Sequence, residues 1–147
     1  PEAVQVASVG ADGRLVVWRL ADGSIDRAWA AHTGWASALA WPDGEGPITA
    51  GSDGALVWWT PDGGERRRVI TGHAGPVTGI AVDAQRVVTA SADGTARVFR
   101  RSDGRAGPVL DGGSPVLAML LQGPRLITSH RDGRVRRWDV VSGLPGG

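Results

Sequence analysis

Residues 48–64 read ITAGSDGALVWWTPDGG, and this stretch decides the fold. Two β-prone runs, ITAG and ALVWW, flank the pair Asp53-Gly54. A short loop with Asp-Gly favours a tight hairpin, because glycine accepts a positive φ at little cost. Gly64, eleven residues after the aspartate, fits the next turn. The stretch therefore predicts an antiparallel hairpin followed by a further strand.

The same pattern returns along the chain with a period of about 40 residues, which is typical of a propeller blade. Further Asp-Gly pairs stand at Asp12-Gly13, Asp93-Gly94 and Asp132-Gly133. Three more columns keep a fixed offset from each aspartate, namely a hydroxyl residue four before it, an aromatic six after it and a glycine eleven after it. Their members are Ser8, Thr49, Thr89 and Thr128; Trp18, Trp59, Phe99 and Trp138; and Gly23, Gly64, Gly104 and Gly143.

Each unit is predicted to consist of short strands, and no stretch has the period of a helix. The β-prone runs before Asp-Gly are residues 4–9, 48–51, 87–91 and 125–129, and those after it are 15–20, 55–60, 95–100 and 134–140. Outer strands are expected near residues 24–30, 66–70 and 108–110. Apolar runs at 35–41, 77–82 and 116–121 open the following units.

These columns resemble those of the WD-repeat propeller family, whose repeat opens with Gly-His and closes with Trp-Asp. Gly72-His73 and Trp138-Asp139 match outright, and Ala31-His32 matches with alanine for glycine. The resemblance covers nearly the whole chain. It implies an all-β fold, a β-propeller of four-stranded antiparallel blades, with about 3.5 blades in this chain as an open or partial ring. Residues 1–147 then form one segment with a partial blade 1 (1–30), blade 2 (31–71), blade 3 (72–111) and a partial blade 4 (112–147), which hold three, four, four and three strands.

The resemblance also implies a buried hydrogen-bond network of Trp, Ser/Thr, His and Asp in each blade. Only the second repeat carries all four residue types, and in the fourth repeat Gly112 falls near the histidine column, so we expect no histidine there. The predicted network residues are Ser8, Asp12 and Trp18; His32, Thr49, Asp53 and Trp59; His73, Thr89 and Asp93; and Thr128, Asp132 and Trp138.

His32, Thr49 and Asp53 also have the residue types of a hydrolytic triad. A structural network explains why the set recurs, incompletely, in every repeat, whereas catalysis does not. We therefore predict that the chain is not an enzyme.

Composition and charge narrow the possible classes of protein and partner. The 147 residues suit one domain, 41% of them are hydrophobic, and there is no cysteine to form a disulfide. All cations are arginine, and they cluster at residues 66–68, at 100–101 and at 131, 134, 136 and 137. A formal net charge of +1 makes a nucleic-acid partner unexpected and favours solvated strand faces. Arginine without lysine, with abundant Ala, Gly and Val, indicates a GC-rich genome and a bacterial origin.

Other site types find no support in the sequence. We predict no metal site and no cofactor, because acidic residues do not gather as in a calcium loop and no phosphate-binding glycine loop is present. No apolar stretch approaches the roughly 20 residues of a membrane span, so we expect a cytoplasmic protein. The first residue is Pro1 rather than methionine, and we expect a piece of a longer chain.

The predicted function is a non-catalytic scaffold that binds protein partners on a face of the propeller. Candidate partner-binding residues are Thr33, Trp35, Ser52, Ala74, Pro76, Ala92 and Arg131, and Trp35, three residues past His32, would be the aromatic anchor. A homodimer that closes a ring of about eight blades is an alternative to a fragment. Two other functions stay open: a regulatory propeller fused to a catalytic domain such as a kinase, and a phosphate- or nucleic-acid-binding surface made by the arginine clusters.

Overall fold

The computed structural model describes residues 4–146, and every regular element in that range is a β-strand. Residues 1–3 and Gly147, which include the predicted chain start, lie outside the described residues. Within the described range the strands are β1 Gln5–Val9, β2 Arg14–Arg19, β3 Ile25–Ala30, β4 Ala36–Ala40, β5 Ile48–Gly51, β6 Ala55–Trp59, β7 Arg66–Thr71, β8 Val77–Val82, β9 Arg86–Ser91, β10 Thr95–Arg100, β11 Ala106–Asp111, β12 Val116–Gln122, β13 Arg125–His130 and β14 Val135–Asp139.

The strands form four antiparallel sheets, and in each sheet the spatial order follows the chain order. We name these sheets blade 1 (β1–β3), blade 2 (β4–β7), blade 3 (β8–β11) and blade 4 (β12–β14). The predicted all-β class and partial propeller are confirmed, and the expected three, four, four and three strands are present in the described range. The largest extension beyond a predicted strand is in β11, which begins at Ala106. Ala106 pairs with Phe99, although Pro108 within the strand has no backbone N–H to donate.

The first strands of blades 2, 3 and 4 lie next to each other and join the blades. The Ser37 hydroxyl on β4 donates to the carbonyl of Val77 on β8. In the same way, the Thr78 hydroxyl on β8 donates to the carbonyl of Val116 on β12 at 2.9 Å. These repeated bonds place the inner strands of successive blades around a common axis.

The apolar core lies between the blades rather than within one sheet. Leu56 and Trp58 of blade 2 pack against Val87 and Phe99 of blade 3 in one cluster. Similar clusters join blade 1 to blade 2 and blade 3 to blade 4. Each blade is therefore stabilised mainly by its neighbours, as in other repeat proteins.

The far side of blade 4 presents such a packing face to solvent. Val135 is 67% exposed, although Leu15, Leu56 and Ala96, which hold the same column in the other blades, are at most 2% exposed. The residue type is that of a buried interface, but within the described residues no blade covers it.

Three of the four Asp-Gly turns, at Gly13, Gly54 and Gly94, pack directly against the loop that leads into the next blade. Gly54 has a φ of 73°, and a Cβ at this position would lie 2.5 Å from the carbonyl oxygen of His73 in blade 3. Only glycine tolerates both the left-handed conformation and this close approach. The turn thus positions the histidine loop of the following blade.

Candidate functional site

Blade 2 contains a complete buried hydrogen-bond chain. The Trp59 indole N–H donates to Thr49 Oγ1 at 2.9 Å, and the Thr49 hydroxyl donates to His32 Nε2 at 2.9 Å. His32 Nδ1–H then donates to Asp53 Oδ1 at 3.1 Å. The indole N–H can only donate and the Asp53 carboxylate can only accept, so Nδ1 of His32 carries a hydrogen in this chain. In the neutral imidazole, Nε2 then accepts from the Thr49 hydroxyl.

The Thr49–His32 part of this chain is closed to solvent, whereas the Asp53 side chain at its end is 25% exposed. Thr49 and the His32 side chain are 0% exposed. A nucleophile must reach its substrate, so this arrangement serves the structure and not acyl transfer. Burial raises the pKa of Asp53, but the Ala55 N–H and His32 outweigh it and hold the pKa below its usual value.

Blade 3 keeps the histidine part of the network but lacks the indole donor. His73 bonds Thr89 Oγ1 at 2.8 Å through Nε2 and Asp93 Oδ2 at 2.9 Å through Nδ1. Phe99 occupies the aromatic position and packs in the core. At the other end of the network, the Thr95 hydroxyl adds a bond by donating to Asp93 Oδ1 at 2.7 Å.

Burial shifts the ionisation of this pair. Desolvation lowers the pKa of His73 below its ordinary value of 6.5, despite the nearby Asp93 carboxylate. Burial also opposes ionisation of Asp93, but hydrogen bonds from Thr95, His73 and the Ala74 N–H lower its pKa to about 2. The pair is therefore a neutral imidazole beside a carboxylate at neutral pH.

Blade 1 contains only the outer part of the network in the described residues. The Trp18 indole N–H donates to Ser8 Oγ at 2.9 Å. Asp12 accepts from the backbone N–H of Arg14 at 3.1 Å, which caps the turn.

In blade 4 the expectation that the histidine is missing is wrong. His130, the last residue of β13, is 3% exposed, and its Nε2 lies 2.7 Å from Thr128 Oγ1. Trp138 donates to the same Thr128 oxygen at 3.0 Å, and His130 Nδ1 donates to the carbonyl of Ser114 at 2.7 Å. A Cβ on Gly112 would lie 2.3 Å from His130 Cε1, so the imidazole fills the space that glycine leaves empty.

Blades 2 and 4 thus exchange histidine and glycine between two positions. In blade 2 the histidine is at position 32, and a Cβ on Gly51 would lie 2.7 Å from its ring. In blade 4 the glycine is at position 112, and the histidine stands two residues after Thr128, where blade 2 has Gly51. The sequence signal for this exchange is that Gly112 stands in the histidine column of the fourth repeat while an additional histidine, His130, stands two residues after Thr128.

The exchange separates Asp132 from the network that was predicted to include it. Because His130 donates to a backbone carbonyl instead, the Asp132 carboxylate accepts from Arg136 at 2.8 Å and from the Arg134 N–H at 3.0 Å. The Arg136 hydrogen bond, with that N–H, lowers the pKa of Asp132 to about 2. Asp132 is a surface ion-pair and turn residue, not a partner of the buried imidazole.

The candidate partner-binding residues lie at the ends of the strands that carry these networks. We call this face the upper surface, defined by Thr33, Trp35, Ser52, Ala74, Pro76, Ala92 and Arg131. The backbone repeats there, because Ser52 N–H donates to Trp35 O, Ala92 N–H to Pro76 O and Arg131 N–H to Pro115 O, each at 2.9 Å. Ser52 and Ala92 are half-buried, and the other five residues are exposed.

The arginine clusters are largely engaged with neighbouring groups. Arg66 and Arg68 lie over the rings of Trp59 and Trp58, at 5.5 and 5.4 Å from the centroids. Ion pairs join Arg100 to Asp103, Arg101 to Glu45 and Arg136 to Asp132. The clusters are therefore distributed over separate blades and partly neutralised.

The described residues contain neither a cluster of metal-ligating side chains nor a helix of membrane-spanning length. Between residues 4 and 146, no three or more histidine and acidic side chains come together to hold a metal ion. The same range contains no helix that is long and apolar enough to cross a membrane.

The sheets, their shared axis and the repeated networks define the chain as a partial, open β-propeller. Residues 64–100 match the family model described as "WD domain, G-beta repeat". Residues 64–100 therefore form a WD repeat, and the resemblance that the Gly-His and Trp-Asp motifs predicted is confirmed.

Relatives with curated names show the same likeness. The chain is 26% identical over 103 residues to mouse "Telomerase protein component 1", with 67% of this chain and 4% of the relative covered. It is 39% identical over 80 residues to "Protein HIR1" of Mycosarcoma maydis, with 52% and 8% covered. It is 30% identical over 108 residues to "Protein tipD" of Dictyostelium discoideum, with 71% and 18% covered.

The chain thus spans a small part of the length of each relative, at most 18% in these three. All three relatives come from eukaryotes, so the bacterial origin inferred from arginine usage stays a prediction. The likeness extends to the repeat and not to the whole proteins.

Proposed function

We propose that this chain is a non-catalytic WD-repeat scaffold segment that binds a protein partner on the upper surface, with Trp35 as the anchor. WD repeats generally mediate protein–protein interactions, and the closed networks of blades 2 and 3 leave no exposed nucleophile–base pair in the described networks. Asp53 and Asp93 serve to hold the histidine loops that shape this surface.

One observation carries the proposal. Trp35 is 63% exposed, while its backbone is fixed on both sides: its N–H donates to Ser52 Oγ at 2.9 Å, and its carbonyl accepts from the Ser52 N–H at 2.9 Å. A large aromatic side chain on a fixed backbone costs little entropy to bury, which is why tryptophan is frequent among interface hot spots.

The test compares Trp35→Ala with Val109→Ala, since Val109 is 51% exposed but lies on the outer strand β11. Proteins retained by the immobilised wild-type chain would be identified and their affinities measured by calorimetry. We expect Trp35→Ala to weaken a true partner by about 2 kcal/mol and Val109→Ala to change little. A partner that binds both variants equally well would rule out the upper surface.

The extended nucleic-acid surface is the weaker alternative. An extended polyanion would contact many cations in a row, whereas here the clusters lie on separate blades and Arg100, Arg101 and Arg136 are paired with carboxylates. A steep dependence of oligonucleotide affinity on salt would nevertheless restore this alternative.

We also propose that another blade covers the exposed face of blade 4, and the predicted homodimer of about eight blades supplies one such blade. The exposure of Val135 favours this closure. Light scattering would give twice the mass of one chain for the homodimer, and Val135→Asp should then return it to the monomer. A monomeric wild-type chain would contradict closure by a second copy.

A further inference from the structure

A polar groove lies at the opposite ends of the strands from the upper surface, at the rim between blades 2 and 3. Its volume is about 320 Å³, and its lining includes Glu45, Trp58, Arg67, Arg68 and Arg101. A second groove of about 610 Å³ continues past Glu45 and Arg101 along blade 3. Because the two grooves share Glu45, Arg101 and Ser102, they form one trough that extends from the arginines along blade 3.

Arg101 is held in a fixed position within this trough. Its Nε donates to Glu45 Oε1 of blade 2 at 3.1 Å, and its Nη1 donates to the carbonyl of Asp83 at 2.9 Å. The residue is thus bound to both blades, and its side chain is only 19% exposed. Such a guanidinium needs little reorganisation to bind a ligand.

Arg68 is positioned by stacking rather than by ion pairing. Its guanidinium lies 5.4 Å from the centre of the Trp58 ring, and its stem packs against Gly104 of blade 3, where a Cβ would lie 2.5 Å from Arg68 Cδ. Stacking uses the face of the guanidinium and leaves the N–H groups on its edge available to an acceptor.

Two further residues of the lining have no polar partner. Trp58 is 6% exposed, and its indole N–H, which is buried beneath the groove, has no hydrogen-bond partner among the described residues. Arg67 is exposed on the same rim, and within residues 4–146 its side chain forms no ion pair. The lining of the groove therefore holds three guanidinium groups and one carboxylate, Glu45. The nearby Asp103 carboxylate also interacts with Arg68 but is paired with Arg100, so the local excess remains two positive charges.

We propose that this groove binds the phosphate group of a phosphorylated peptide. Planar guanidinium groups match phosphate oxygens in pairs, and a phosphoserine carries close to two negative charges at neutral pH. The continuing trough accommodates the flanking peptide. This site is separate from the upper surface, so either proposal can fail without the other.

The experiment follows the indole N–H signals of the ¹⁵N-labelled chain by NMR at constant ionic strength. The Trp58 signal is assigned with Trp58→Phe. The probes are a short alanine peptide with a central phosphoserine, the same peptide with serine, and inorganic phosphate. We expect a saturable shift of the Trp58 signal with the phosphopeptide, a weaker response to inorganic phosphate and none with the serine peptide.

Three variants separate a specific site from general attraction. Arg67→Gln should weaken phosphopeptide binding about ten-fold, because one charge-assisted hydrogen bond is lost. Glu45→Gln should tighten binding by removing the competing carboxylate, and Arg14→Gln, at an exposed arginine of blade 1, should have no effect. No saturable shift, or equal losses in Arg67→Gln and Arg14→Gln, would overturn the site, and equal affinity for inorganic phosphate would overturn the peptide as its ligand.

Discussion

Blades 2 and 4 reach the same buried hydrogen-bond chain from different positions in the repeat. In both blades a tryptophan donates to a threonine, and the threonine hydroxyl bonds a histidine ring nitrogen. The imidazole comes from His32, in the loop before β4, in one blade and from His130, at the end of β13, in the other. The comparison shows that the interior of a blade requires an imidazole ring with its donor and acceptor atoms at a particular place. Either of two positions in the repeat can supply that ring.

The largest expected effect is that of His130→Ala. The substitution leaves Thr128 and the Ser114 carbonyl without their partner and opens a cavity beside Gly112, so it should lower the free energy of unfolding by about 2–4 kcal/mol. Urea denaturation of the full chain measures this loss. Arg131→Ala, at the exposed neighbouring residue, is the control and should change stability by less than about 0.5 kcal/mol.

The double variant Gly112→His with His130→Gly tests the exchange itself. It gives blade 4 the arrangement of blade 2, and it should recover at least half of the stability that His130→Ala loses. If His130→Ala is as stable as the wild type, or if the double variant is less stable than His130→Ala, the two positions are not interchangeable.

Asp53→Ala and Asp132→Ala provide a smaller and more closely matched contrast. Both aspartates cap a turn through a backbone N–H, of Ala55 at 3.1 Å and of Arg134 at 3.0 Å, but only Asp53 holds a buried imidazole. We expect Asp53→Ala to cost about 1–3 kcal/mol by leaving His32 unpaired. Asp132→Ala should cost clearly less, because an ion pair in solvent contributes little to stability. Calorimetric unfolding of both variants decides this, and equal losses would mean that the turn cap alone is responsible.

The smallest expected effect is a dependence of stability on pH between 7.5 and 5 that arises in blade 3. Burial depresses the pKa of His73 in the folded state, so below its ordinary value of 6.5 the unfolded chain binds the proton more readily. Stability is therefore complete above this pH and decreases as the pH falls towards the folded-state pKa. Denaturation series of the wild type and of His73→Gln would measure the effect, and an identical slope in both would assign it to another group.

Much of the fold follows from local signals in the sequence. The Asp-Gly pairs recur with the blade period. They lie between the second and third strands of blades 2, 3 and 4, as at Gly54 with its φ of 73°, and between the first two strands of the three-stranded blade 1. The hydroxyl and aromatic columns meet in the structure because they face each other across one hairpin, as Thr49 and Trp59 do. Such contacts are predictable because only ten residues separate the partners.

The site residues were less predictable where the contact crosses between distant parts of the chain. The sequence placed Trp35 beside a network histidine, but its 63% exposure depends on how the blades pack. The trough between blades 2 and 3 depends on Glu45 meeting Arg101 from another blade, 56 residues away. No local pattern records such a pairing.

The sequence by itself determined a repeated four-strand unit with a hydroxyl, an aspartate and an aromatic residue at fixed offsets, because hairpin geometry couples residues that are close along the chain. Only the tertiary structure decided that His130 replaces the missing histidine, that Asp132 binds Arg136 instead, and that Val135 lies uncovered. The physical reason is that close packing and hydrogen-bond satisfaction act on positions in space, and these depend on which blades become neighbours.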